Sequence, residues 1–181
     1  MFKKFSKEDI HTRTRVKSSV QRSLKATLVK QFPGLEEVID ELIPKKAEMQ
    51  IIKCTDKIQL YTVDNEVYFF QKFDELIPTL KFVHKFPQAF PTVQVDRGAI
   101  KFVLSGANIM CPGLTSAGAK IPESPGFEQD SLVIINAENK ENALAVGKLL
   151  MSTDDIRSIN KGHGVEMIHH LGDCLWNFSL D

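Results

Sequence analysis

A chain of 181 residues with 43% hydrophobic content makes one large domain or two small ones and excludes wholesale disorder. The 23 Lys/Arg and 23 Asp/Glu cancel to a formal charge of zero, so any contact with nucleic acid has to be local. No run approaches the ~18 apolar residues of a membrane span, the opening Met-Phe-Lys-Lys-Phe lacks a secretory h-region, and the three separated cysteines, Cys54, Cys111 and Cys174, suit neither a disulfide scaffold nor a Cys-rich zinc site. The expected setting is soluble, reducing and cytoplasmic, with no metal and no cofactor.

The neutral total hides an asymmetry. Residues 1–30 hold nine Lys/Arg and only Glu8 and Asp9 as acids, leaving 14 bases against 21 acids in the remainder. A basic leading segment on an acidic body can steer the chain toward phosphate, and a solvated helix face explains it equally well. Ser6 with Asp9 three residues on is a weak capping-box start. Ile10, Val16, Val20, Leu24 and Leu28 share one helical face up to Pro33-Gly34, which predicts a helix of ~25 residues, or ~37 Å. Leu35, Val38, Ile39 and Leu42 predict a second, short helix stopped by Pro44.

Strand signals follow. Gln50–Cys54 is apolar and β-prone, and Lys57–Val63 and Glu66–Gln71 flank Asp64-Asn65 as a hairpin. Pro78–Lys85 reads as one or two helical turns with Leu80, Val83 and His84 inward. Pro87 and Pro91 then bracket the best linker in the chain, which divides it into domains 1–91 and 92–181.

In the second half Thr92–Val95 is a strand. A short helix begins at Asp96 or Arg97, with Ile100, Val103 and Leu104 on one face, and ends at Gly106. Ala107–Met110 is a strand, Pro112-Gly113 a turn and 115–130 a long loop. Ser131–Ala137 and Asn142–Met151 are apolar strands. Ser152 caps a last helix, and Val165–His170 with Cys174–Phe178 closes as a hairpin. Short strands with two small helices predict a small, mostly β barrel.

No catalytic constellation rises above chance: there is no Walker A, G-x-S-x-G, H-E-x-x-H or G-x-G-x-x-G. Gly162-His163-Gly164 reads as a turn. His169 and His170, adjacent on a strand, face opposite ways and suit one core and one surface position. Cys111 suits a small buried hydrophobe.

The informative run is Val95–Leu114. Asp96 can cap a helix whose free N–H groups lie near Gly98 and Ala99, with Arg97 and Lys101 adding charge. Gly106-Ala107 permits close approach of a backbone, and Asn108 can offer both donor and acceptor to a base or ribose. These glycines can equally be a helix cap and a turn.

This run, through Asp96…Gly98-Ala99, Gly106-Ala107 and Met110-x-Pro112-Gly113-Leu114, resembles the opening of a PUA domain, a small RNA-binding barrel. The stretch KFVLSGANIMCPGLTSAGA, together with Met-Phe-Lys-Lys-Phe, Ile43-Pro44-Lys45-Lys46, Pro78-Thr79-Leu80, His84-Lys85 and Leu175-Trp176, resembles the malignant T-cell-amplified sequence family over essentially the whole chain. The resemblance implies an α+β fold, with a family-specific N-terminal α/β pre-PUA domain carrying a basic long helix and small sheet, followed by a PUA-type barrel with two short helices. It implies RNA contacts at Arg97, Gly98, Ala99, Lys101, Gly106, Ala107, Asn108, Met110, Pro112 and Gly113. The basic segment adds Lys3, Lys4, Arg13, Arg15 and Lys17 as auxiliary phosphate contacts.

The function implied is that of a non-enzymatic translation factor on the small ribosomal subunit. It would pair with a density-regulated-type protein, which contributes an initiation-factor-like domain and carries the zinc cysteines. The pair would promote release of deacylated tRNA after termination and influence reinitiation, touching ribosomal or transfer RNA and no membrane. Tyr61, Tyr68 and Phe73 are the aromatics nominated for a partner surface. The alternative is a protein–protein adaptor whose barrel does not itself bind RNA, consistent with 7 bases against 11 acids in residues 91–181. An RNA-modifying enzyme using the barrel as an accessory is disfavoured, because the rest of the chain holds no catalytic constellation.

Overall fold

The computed structural model describes residues 1–72 and 74–181; Phe73 lies outside the described residues. The chain forms two compact units with exchanged ends. One comprises Lys4–Phe90 and Phe178–Asp181, the other Met1–Lys3 and Pro91–Asn177.

The first unit is a five-stranded antiparallel sheet in sequential order, with helices between its strands. Strand β1 (Ile10–Arg15) is followed by α1 (Ser18–Gln31), α2 (Ile39–Leu42), β2 (Met49–Cys54), β3 (Gln59–Val63), β4 (Glu66–Lys72), β5 (Glu75–Pro78) and α3 (Leu80–Lys85). The expected long helix is therefore corrected. The Ser6/Asp9 capping box forms, but it caps a 3-10 turn at Lys7–Asp9. The Thr-rich run after it pairs with β2, Arg13 opposite Ile52 and Arg15 opposite Gln50. β-branched Thr12 and Thr14 favour that extended state. Because β1 exposes five of its six residues, it has no buried face whose period could reveal it. Helix α1 keeps only 14 residues, about 21 Å. The predicted Leu35–Leu42 helix divides into a 3-10 turn at Pro33–Leu35 and the single turn of α2.

The expected hairpin is β3–β4, turned at Asp64 and Asn65 with φ of 49° and 67°, the paired left-handed conformation of a two-residue hairpin loop. Thr79 caps α3 by accepting from Phe82 N at 3.3 Å while its hydroxyl donates to Val67 O at 2.7 Å. Leu80, Phe82 and Val83 point into the core and His84 is half-buried. Tyr61 and Tyr68 are core residues, 4% and 8% exposed, with Tyr61 stacked on Phe69 at 4.8 Å, so neither offers a partner surface.

The second unit is a five-stranded sheet of order β6-β8-β9-β10-β7 that curls as a half-barrel. Its elements are β6 (Thr92–Val95), α4 (Ile100–Leu104), β7 (Ile109–Met110), α5 (Pro112–Thr115), β8 (Leu132–Ala137), β9 (Ala145–Leu149), α6 (Thr153–Ile159) and β10 (His163–His170). β6 lies parallel to β8, and the other pairs are antiparallel. β8, an interior strand between β6 and β9, is buried at five of six positions, as expected of a strand covered on both faces. Val95, Val103, Cys111, Leu114, Ile135 and Ile156 meet in one core. Three short helices replace the expected two, because Pro112-Gly113 opens a helical turn.

Cys174–Phe178 is not a strand. Asp173 accepts from Trp176 N at 2.8 Å and His170 N at 3.0 Å, and its own carbonyl accepts from Asn177 N at 3.1 Å, so the chain coils after β10. His169 is buried and bonds Asp173 through Nδ1 at 2.7 Å, while His170 is half-buried. Phe2 is 2% exposed in this unit, its carbonyl accepting from Cys174 N at 3.0 Å.

Candidate nucleic-acid interface

Asp96 starts the α4 segment. Its Oδ1 accepts from Ala99 N at 3.0 Å and its Oδ2 from the Ser116 hydroxyl, tying a 3-10 turn at Arg97–Ala99 to the end of α5. Gly106 ends the segment at φ 85°, a conformation side chains resist, with His170 Nε2 3.1 Å from where a Cβ would stand. Gly106 is thus explained by the backbone. At Gly113 φ is not left-handed, and a Cβ would meet only ordinary contacts, Ile109 at 3.6 Å and Ala99 at 3.7 Å. Neither backbone nor packing demands glycine there.

The expected residues sort onto two sides of α4. Gly98, Ala99, Ala107, Asn108, Met110, Pro112 and Gly113 line a hollow of about 520 Å³, with Phe102 and Ser116. Arg97 and Lys101 line a second hollow of about 660 Å³, with Gly98, Leu104, Glu138 and Lys140. Gly98 is common to both, and Gly106 borders neither.

Two details alter the chemistry expected from sequence. Two of the backbone N–H groups at the start of the segment are already engaged: Ala99 N with Asp96, and Arg97 N with Glu138 Oε2 at 3.1 Å. Asn108 spends its carbonyl oxygen on Met167 N at 2.9 Å, so its amide nitrogen is what remains for a ligand.

Phe102, Leu104 and Met110 are exposed at 56%, 41% and 46%, and Lys101 Nζ lies 5.1 Å from the Phe102 ring centroid. Sequence reasoning missed Phe102. The signal was available: with Ile100 and Val103 facing the core, the two residues between them on a helix, Lys101 and Phe102, must face outward. A flat ring beside a cation on a water-facing helix is a platform on which an unpaired base or an apolar side chain can stack. Cys111 is fully buried and its thiol pKa is pushed up by burial, as suits a packing residue.

The auxiliary basic residues are scattered. Arg13 donates to Gln50 and, at 3.0 Å, to Asn65, and Arg15 pairs with Glu48 at 3.1 Å. Lys17 is exposed just before α1, and Lys4 is exposed in the first unit. Lys3 belongs to the second unit, where its carbonyl accepts from the Cys174 thiol. A separate groove of about 790 Å³ runs along α1, lined by Arg22, Ala26, Val29 and Lys30 and facing Ile39 and Lys45. Among the described residues no His/Cys/Asp/Glu group is arranged for a metal, and no helix is long and apolar enough to cross a membrane.

Residues 4–87 match the model of the pre-PUA-like domain, and residues 91–171 match that of the PUA domain. The chain is 82% identical to translation machinery-associated protein 20 of Eremothecium gossypii over 99% of both chains. It is 72% identical to the protein of that name from Saccharomyces cerevisiae over the full length of each. It is 48% identical to human malignant T-cell-amplified sequence 2 over 98% of this chain and 97% of that one. Among solved structures, a hypothetical protein of Pyrococcus horikoshii superposes with a TM-score of 0.72 over 92% of this chain and 98% of its own, at 23% identity. A PUA-domain protein of Thermoplasma acidophilum gives 0.69 over 92% and 98%, at 16% identity. These last two show likeness of fold. The extent of the sequence matches, over both units at once, makes the chain a member of the family of translation machinery-associated protein 20 and the malignant T-cell-amplified sequence proteins.

Proposed function

We propose that the chain is a non-enzymatic translation factor that binds the small ribosomal subunit through RNA contacts at the α4–β7 surface. Its relatives are named for association with the translation machinery and not for an enzymatic activity. The observation that carries the RNA reading is the α4 surface itself. Seven of the ten expected contact residues line one open hollow beside an exposed phenylalanine, and Arg97 and Lys101 stand on the other side of the same short helix. That arrangement can stack a base and hold its phosphate without a globally basic surface.

In this reading the chain acts in the cytoplasm as a positional device. It works with a density-regulated-type protein that brings an initiation-factor-like domain and its own zinc. Together they favour departure of deacylated tRNA from small subunits after termination and thereby influence reinitiation. The chain supplies the anchor and the partner competes with spent tRNA.

Co-sedimentation with purified small subunits tests this, with and without the partner, at low and moderate salt. Arg97→Ala/Lys101→Ala should weaken binding about tenfold or more at low salt and flatten the salt dependence by roughly one to two in the log–log slope. Binding that depends wholly on the partner and ignores both substitutions would instead support the adaptor reading. One observation favours that second reading: Phe102, Leu104 and Met110 leave an apolar surface that a protein could cover as readily as a base.

A further inference from the structure

The hollow on the Arg97 side of α4 contains its own anion. Arg97, Lys101 and Lys140 line it, and Glu138 stands among them. The carboxylate is held there deliberately by the backbone. Glu138 Oε2 accepts from Arg97 N at 3.1 Å, and Glu138 N donates to Val95 O at 3.0 Å. Asn139, at φ 61°, and the bond from Lys140 N to Ala137 O at 3.1 Å close the tight turn after β8 that carries both Glu138 and Lys140.

The chain beside the carboxylate leaves room for it. Gly118 has φ 91°, and a Cβ there would lie 2.2 Å from Glu138 Oε2 and 2.7 Å from Oε1, so any other residue would evict the carboxylate. Yet the acid does not neutralise the hollow by direct pairing. Among the described residues, Arg97, Lys101 and Lys140 form no ion pair within 4.0 Å. Three cationic side chains thus share the hollow with one carboxylate, an oxygen of which accepts from a backbone N–H.

We propose that Glu138 is a resident competitor for phosphate, which occupies the hollow between Arg97, Lys101 and Lys140 and must swing aside before an RNA phosphodiester can enter it. The inference rests on the RNA reading above and deepens it. A carboxylate that lines the same hollow as three cations lowers their pull on a generic polyanion. The second unit is itself acidic, so random RNA gains little there. RNA gains the hollow only when other contacts hold the strand long enough for the side chain to move. Glu138 thereby sets selectivity without touching the bound RNA.

The test uses the full chain with a 12-nucleotide oligouridine, followed by fluorescence anisotropy over a salt series, and with purified small subunits in parallel. Glu138→Gln keeps the size and the acceptor for Arg97 N but removes the charge. It should tighten oligouridine binding roughly three- to tenfold at low salt. It should also steepen the log–log salt slope by about 0.7, the value of one added phosphate contact on a single strand. Adding Lys140→Ala should cancel the gain. Amide NMR with inorganic pyrophosphate reports the hollow independently: Arg97 and Gly98 should shift at lower pyrophosphate concentration in Glu138→Gln than in the wild type.

If Arg97→Ala/Lys101→Ala weakens binding but Glu138→Gln leaves affinity, slope and pyrophosphate response unchanged, the competitor is refuted and the RNA reading stands. If neither variant changes binding to oligouridine or to subunits, the RNA reading fails and the competitor falls with it.

Discussion

Asp173→Ala should unfold the second unit far more easily than its place near the chain's end suggests. The Asp173 carboxylate, 6% exposed, takes three donors: His169 Nδ1 at 2.7 Å, Trp176 N at 2.8 Å and His170 N at 3.0 Å. Alanine leaves all three unmatched. At about 1–3 kcal/mol per buried unsatisfied donor, the raw loss is roughly 3–9 kcal/mol. Water can follow the deleted side chain into the terminal turn, so the expected loss is about 3–5 kcal/mol, the range for breaking a buried charged pair. Asp173→Asn keeps one acceptor oxygen and should cost about half as much. Trp176 is the sole tryptophan and its own N–H is one of the three donors, so its fluorescence follows this unit during urea unfolding. With a slope of about 2 kcal/mol per molar, Asp173→Ala should lower the midpoint by roughly 1.5–2.5 M. A shift below about 0.5 M would show that the cluster does not organise the turn and would refute the reasoning.

Acidification should act through the same pair. Burial holds the His169 pKa below its usual 6.5, against the opposing bond to Asp173, so the folded unit resists a proton that the unfolded chain accepts. Burial raises the Asp173 carboxyl, but its bonds to His169, Trp176 and His170 outweigh that and leave it below 3.8. Both contributions are present above the unfolded values and are lost as pH falls. Urea midpoints read by Trp176 should therefore hold above about pH 7, decline below about 6.5 and fall further below about 4. A midpoint that rises on acidification to pH 5 would contradict this. Gly147→Ala places a Cβ 2.4 Å from Val165 Cγ1 and 2.8 Å from Glu166 O, so the β9–β10 pairing must shift, with a loss of about 1–3 kcal/mol in the same assay. Phe178→Ala removes a ring 5.1 Å from that of Phe5. Amide exchange of β3 and β4 should accelerate, with a loss of about 2–4 kcal/mol, while the Trp176 midpoint stays in place.

What the sequence disclosed was chemistry acting over a few residues. Asp96 and Ser152 cap helices, Asp64-Asn65 turns the hairpin and Gly106 takes the left-handed conformation, each as its side chain or its lack of one requires. What it concealed depended on distant partners. β1 is a strand because β2 is there to pair with it, and its exposed side chains carry no period. β5, four residues long and buried at three of them, is too short to show a period of its own. The coil after β10 follows from one aspartate collecting donors on both sides of it. At the candidate site, the family resemblance supplied nine of the lining residues but not their division across α4. Glu138 and Lys140 stand beside Arg97 from some 40 residues downstream, a proximity no local reading contains.

The exchanged ends tie each half of the molecule to sequence encoded with the other. Phe2 precedes the first unit in sequence yet belongs to the second, and Phe178 follows the second unit in sequence yet belongs to the first. Neither half completes its core from its own stretch of chain. The first unit needs Phe178–Asp181, and the second needs Met1–Lys3, where the Phe2 carbonyl meets Cys174 N. A tag fused at one end would be felt first in the half of the molecule encoded at the other.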